Sequence, residues 1–140
     1  MNTDPGCIFC KIAAKEVPAT VVYEDAETVA FMDIGQVNTG HVLVAAKAHA
    51  DSIYALDDTS ASAVFRACAR VARAIRAAFA PPGLSVYQAN GKPAGQTVFH
   101  FHIHLVPRHE GDGMALSWPV KNPPRDKLEE YAAKIRSRLD

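Results

Sequence analysis

Short apolar runs broken by polar or Pro/Gly punctuation make up most of the chain. Val21–Tyr23 and Thr28–Met32 flank the polar Glu24-Asp25-Ala26-Glu27, which predicts a β-hairpin. The turn-forming Asn38-Thr39-Gly40 introduces a third strand at His41–Ala45. Beyond the N-cap candidates Asp57-Asp58-Thr59-Ser60 the period changes. Val64, Phe65, Cys68, Val71, Ala72, Ile75 and Phe79 recur at helical spacing, with Arg66, Arg70, Arg73 and Arg76 largely on the other side. Pro81-Pro82-Gly83 stops this helix, and Leu84–Gln88 resumes as a strand. Asn90–Gln96, with two glycines and a proline, predicts a loop, and Val98–Val106, closed by Pro107, the strongest strand. A terminal helix from Asp126 onward places Leu128, Tyr131, Ala132, Ile135 and Leu139 on one face. Five strands and two helices with short early connections predict an α+β fold, its mainly antiparallel sheet covered on one face by the helices.

At 140 residues the chain suits one domain with a sizeable core. Fifteen Lys+Arg balance fifteen Asp+Glu, so the net charge is zero and a general electrostatic grip on nucleic acid is excluded. A small anionic ligand, which needs only local donors, stays open. No apolar run is long enough to cross a bilayer and the first residues carry no secretion-signal pattern, so a cytoplasmic protein is expected. Three cysteines do not make a disulfide scaffold. Cys7 and Cys10 form a C-x-x-C pair near the N-terminus; Cys68, on the apolar helix face, reads as a small buried hydrophobe.

The chemistry concentrates in Gly95-Gln96-Thr97-Val98-Phe99-His100-Phe101-His102-Ile103-His104-Leu105-Val106. On a strand, His100, His102 and His104 share one face about 7 Å apart, and Phe99, Phe101, Ile103 and Leu105 line the other. Six histidines in all supply three to this face, which chance on a solvated sheet poorly explains. Neutral imidazoles at cytosolic pH serve as nucleophiles, proton carriers or metal ligands. Gly95 permits close backbone approach, and Gln96 and Thr97 bring neutral donors suited to an anionic substrate.

His-Phe-His-Ile-His-Leu-Val resembles the signature of the histidine triad (HIT) family. The resemblance extends over Cys7–Ile12, Ala30–Ile34, Gly40–Val44, His49 and Asn90–Arg108, and is most like bacterial Hint-like members with an N-terminal Cys-x-x-Cys. It implies a HIT-like fold over 1–140, with a core of about 5–110 and a C-terminal extension at 111–140 carrying the last helix. It also implies a homodimer whose sheet continues across the two-fold, with the segment around Trp118 reaching the partner's site. The implied reaction is hydrolysis or transfer at the α-phosphate of a purine nucleotide conjugate. His102 would be the covalent nucleophile and His104 a donor to a phosphate oxygen, with Thr97 and Gln96 on the phosphate or leaving group. Asp33 matches the residue that binds the ribose hydroxyls; Ile8, Phe9, Ile12 and Ile34 match the purine pocket. Gly95, Ala89 and Asn90 fall at nucleotide-contact positions. Ala89 departs from the usual Asn or Gln there, which leaves the substrate open between phosphoramidates, aminoacyl adenylates and diadenosine polyphosphates.

By itself the cysteine pair is a redox pair, a zinc half-site or a coincidence, and the absence of a preceding strand disfavours redox. The resemblance implies structural zinc held by Cys7, Cys10, His49 and His100. His41 and His109 match no ligand position and read as surface or rim residues. Two further functional classes remain at this point: a zinc hydrolase whose metal is held by His100, His102 and His104, and a nucleotide-binding protein with little activity.

Overall fold

The computed structural model describes every residue except Leu116. The N-terminal segment forms α1 (Ile8–Ala13), one and a half turns too short to show a period in the sequence. A hairpin of β1 (Val21–Glu24) and β2 (Thr28–Met32) follows, closed by Asp25, whose Oδ1 accepts from the Glu27 and Thr28 amides at 2.9 and 2.7 Å. Next come β3 (Val42–Ala46), the long helix α2 (Asp58–Phe79), β4 (Gly83–Tyr87), β5 (His102–Arg108) and α3 (Arg125–Arg136). The sheet is antiparallel throughout, in the order β1-β2-β3-β5-β4. No helix among the described residues is long and apolar enough to cross a membrane.

Helix α2 starts where an Asp side chain satisfies an orphan amide: Asp57 Oδ1 accepts from Ser60 N at 2.7 Å. It ends at Ala80, in the left-handed region at φ 47°, before the two prolines. Its Val64, Ala67, Cys68, Val71 and Ile75 pack on Val42, Val44, Phe101, Ile103 and Leu105 to make the main core. Burial pushes the Cys68 thiol up to about 12, so it behaves as an inert apolar group. Gly40 turns the chain into β3 at φ +94°, where an added Cβ would stand 2.9 Å from the Phe79 ring. Phe65 and Phe79, which the sequence pattern placed in the apolar stripe, instead lie on the exposed flanks of α2.

The opposite face of the sheet carries a second cluster, in which Phe9 of α1 packs on Val29, Phe31, Leu43 and Ala45. This face bears the histidines, because His104 pairs with Leu43 and His102 with Ala45.

Three expectations need correction. The histidine strand begins at His102, not Val98: β3 ends at Ala46, so residues 98–101 have no ladder partner and bend, Phe101 N bonding to Ala50 O at 2.7 Å. Phe99 is consequently 42% exposed while Phe101 is 2% exposed. Pro107 lies inside β5, opposite Leu84, in a stretch beyond the β3 ladder where a missing amide costs no bond on that side. Finally, α2 covers its face of the sheet without α3. No residue of α3 is buried, and Leu128, Tyr131 and Ile135 face outward.

Candidate functional site

At the N-terminal edge of the sheet, Cys7, Cys10, His49 and His100 come together, their ligand atoms all within 4.8 Å of one another. Cys7 Sγ lies 3.3 Å from His100 Nδ1, and Cys10 Sγ lies 3.5 Å from His49 Nδ1 and 3.6 Å from His100 Nδ1. The two Nδ1 atoms are 3.2 Å apart. A tetrahedral ion with bonds of about 2.0–2.3 Å spaces such donors at roughly 3.3–3.8 Å. The outer nitrogens are committed elsewhere. His100 Nε2 must donate to the Ala46 carbonyl at 2.6 Å, because a carbonyl only accepts, and His49 Nε2 donates to Asp51 Oδ1 at 2.8 Å. Both rings therefore present a bare Nδ1 toward the sulfurs, the tautomer a metal needs. The bend at 98–101 makes this possible: off the ladder, His100 is wholly buried and swings toward α1.

Beside this corner a cleft of about 560 Å³ opens between α1, the end of β2 and β5. Ile8, Phe9, Ile12, Asp33, Ile34, Thr97, His102 and His104 all contribute to its wall. Ile34 stands fully exposed at its lip, and Ile8 is half-exposed. His102 Nδ1 donates to the His100 carbonyl at 2.6 Å, which leaves Nε2 bare. Phe9 meets the His102 ring edge to face, centroids 5.0 Å apart. Burial holds His102 below its ordinary pKa, opposed by the His100 carbonyl, so the ring is neutral at neutral pH. His104 is pushed down to about 4, by burial first and then by its neighbours His102 and His41.

His41 is a correction. It is 2% exposed, not a rim residue, and its Nε2 lies 2.9 Å from His104 Nδ1. The Val37 amide points at His41 Nδ1 at 3.3 Å, so His41 carries its proton on Nε2 and donates to His104. Neutral His104 then keeps its own proton on Nε2. Asp33 Oδ2 stands 3.4 Å from His41 Nε2 and 3.8 Å from His104 Nδ1. In the sequence His41 followed a turn glycine and looked like the exposed start of a strand; only the pairing of β3 with β5 brings it to the triad. His109 is exposed as expected.

Gln96, Ala89, Asn90 and Gly95 do not line the cleft. Gln96 is buried, its Nε2 donating to the Asp51 and Val98 carbonyls at 2.7 and 3.1 Å and its Oε1 accepting from Gly91 N at 2.8 Å. Both amide protons are spent on holding the loop. Asn90 is tied to Gln88 and to the Ile53 amide. Neither amide flanking Ala89 reaches toward the cleft to replace the polar side chain missing there. Among the described residues, ligand-capable atoms converge in two groups and neither includes His102, so His100, His102 and His104 do not form one metal centre.

Residues 14–111 match the HIT domain model. Over its whole length the chain resembles the Protein hit of Bacillus subtilis, 43% identical over 99% of this chain and 98% of that one. It is 33% identical to the adenosine 5'-monophosphoramidase hnt1 of Schizosaccharomyces pombe, over 95% and 98% of the two chains. Its fold superposes on the crystal structure of a HIT family protein from Bacillus anthracis with a TM-score of 0.93 at 41% identity, over 99% and 100%. A Zn-bound histidine triad family protein from Mycobacterium smegmatis aligns with a TM-score of 0.74 at 31% identity, over 96% and 98%. With the strand order, the paired histidines and these likenesses in agreement, the chain belongs to the HIT family.

Proposed function

We propose that this protein hydrolyses a purine nucleotide conjugate at its α-phosphorus through a nucleotidyl group carried on His102. The observation that carries the reading is the 2.6 Å bond from His102 Nδ1 to the His100 carbonyl, which turns a bare Nε2 lone pair to the cleft. In the first step Nε2 forms a bond to phosphorus as the bond to the leaving group breaks, an amine taking up a proton from solvent as it departs and an oxyanion leaving as such. Water then attacks phosphorus and gives up a proton to solvent, the P–N bond to His102 breaks and the nucleoside monophosphate leaves. His104, holding a proton on Nε2, donates to a phosphate oxygen, and Thr97 at the cleft wall is a second donor. Asp33 accepts from the ribose hydroxyls, while Ile8, Phe9, Ile12 and Ile34 supply the apolar surface for the base. Gln96 acts by fixing the loop that carries Thr97. Resemblance to an adenosine 5'-monophosphoramidase supports an amine leaving group, with aminoacyl adenylates in the same class.

Zinc in the cysteine corner fits the donors present, two sulfurs and two oriented Nδ1 atoms, and it supplies cross-linking rather than reaction chemistry. It would tie α1, and with it the Phe9 wall, to the segment before His102. A homodimer in the cytoplasm completes the reading; exposed apolar side chains on α3 and along β4 suit burial against a second copy.

The test is release of AMP from adenosine 5'-phosphoramidate. The expected result is turnover by the wild type and a loss of about a thousandfold or more in His102→Ala, with AMP and metal still bound. Equal turnover by His102→Ala would overturn the nucleophile assignment. Turnover of diadenosine polyphosphates alone would move the substrate class, and AMP binding without turnover of either would leave a binding protein.

A further inference from the structure

Among the described residues, one group of side chains besides the cysteine corner presents metal-ligand atoms within 4.8 Å of one another: Asp33, His41 and His104. Its edges are 2.9 Å between the imidazole nitrogens and 3.4 and 3.8 Å from these to Asp33 Oδ2. Donors about 2.0–2.2 Å from a common ion stand about 2.9 Å apart in an octahedron and about 3.4 Å apart in a tetrahedron. The imidazole edge has the octahedral spacing, and the two longer edges to Asp33 Oδ2 close by rotation of that one carboxylate.

The backbone holds the three in place. Asp33 N bonds to His41 O at 3.1 Å, and the β3–β5 register sets Leu43 opposite His104. Gly35 N donates to Asp33 Oδ1 at 2.8 Å, which leaves Oδ2 directed at both rings. Such outer bonds are what orient a ligating carboxylate. In the hydrogen-bonded state the His41 ring keeps its proton on Nε2, and Nδ1 accepts from the Val37 amide at 3.3 Å. An ion at Nε2 moves that proton to Nδ1, at the expense of the long contact from the Val37 amide.

We propose that Asp33, His41 and His104 form a second, reversible site for a divalent transition metal ion of the Zn²⁺ class. Two imidazoles and a carboxylate leave at least one position for water and select borderline ions over Mg²⁺. Asp33 and His104 also line the nucleotide cleft, so the ion and a nucleotide compete. The competition rests on the function proposed above; the ion binding does not.

The experiment counts metal. Purified protein, with whatever its cysteine corner already holds, is dialysed against Co²⁺ alone and analysed for cobalt, with absorption spectra alongside. Wild type is expected to take up one equivalent per chain that adds weak d–d bands and no cobalt–thiolate charge-transfer band. Asp33→Asn and His41→Gln should each bind that equivalent about tenfold or more weakly, with unchanged far-UV circular dichroism as the fold control. Excess Mg²⁺ should not displace the ion, whereas AMP should. Absence of the equivalent from wild type, or its full retention in Asp33→Asn, overturns the site. Retention of cobalt under saturating AMP refutes only the competition, and the count itself needs no turnover.

Discussion

His100 and His104 are four residues apart, and the corners they serve differ in what holds the outer ring nitrogens. In the cysteine corner the Nε2 protons of His100 and His49 end on the Ala46 carbonyl and the Asp51 carboxylate, so both Nδ1 lone pairs face two sulfurs. In the second corner His41 and His104 face each other across one shared proton, and the protein satisfies it internally. Between them His102 has its Nδ1 proton on a carbonyl and nothing on Nε2. One residue type is thus held in three ways, each set by the atom behind the ring, and the proposed roles of ligand, donor and nucleophile rest on that difference.

The backbone sharpens the contrast, because residues 98–101 bend while 102–108 run in the sheet. The largest expected effect separates those halves. Phe101→Ala removes a ring packed against the α2 core and should cost about 3–5 kcal/mol in denaturant unfolding. A cost under about 1 kcal/mol would mean that the bend repacks freely.

Next is Asp51→Asn, which weakens the acceptor behind His49 without touching a ligand. Metal affinity at the cysteine corner should fall about 10- to 100-fold by chelator competition, with affinity at the His41–His104 corner unchanged. Equal weakening at both corners would show that the two are one coupled unit.

The far end of β5 offers a pH-dependent test. Arg108 grips Asp112 through Nε at 2.7 Å and Nη2 at 3.0 Å, and Asn38 and the His109 and Met114 amides complete the cage. The Arg108 guanidinium, then these amides, hold the Asp112 carboxyl well below the usual carboxylate range. Because the folded-state pKa is depressed, the stability it confers is complete above the unfolded value of about 4 and is lost as pH falls below it. Asp112→Asn should therefore melt below wild type at pH 7, with the gap closing under acid. A gap that persists unchanged at pH 2 would refute the ionic origin.

The smallest effect belongs to Phe99→Ala. Two residues from Phe101 but open to solvent, it should change stability by about 0.5 kcal/mol or less. A cost near that of Phe101→Ala would restore the continuous strand read from the sequence.

Local periodicity made much of the fold legible. The first hairpin, α2 and the antiparallel α+β class follow from period-two and 3.6-residue patterns that neighbouring residues set among themselves. The spacing of His100, His102 and His104, with Cys7 and Cys10, marked where the chemistry lies. What the pattern left hidden depended on partners far along the chain. The start of β5 was set by where β3 ends, the burial of His41 by His104 sixty-three residues away, and the inward turn of Gln96 by the Asp51 carbonyl. The lone exposure of α3 is of the same kind, since an amphipathic pattern states that a face is apolar and not what covers it. The sequence by itself determined the residue types, their alternation and the reaction family they resemble. For His100 and His41, tertiary structure alone decided which ring nitrogen keeps its proton, because that depends on a carbonyl or an imidazole brought within 3 Å from far along the chain.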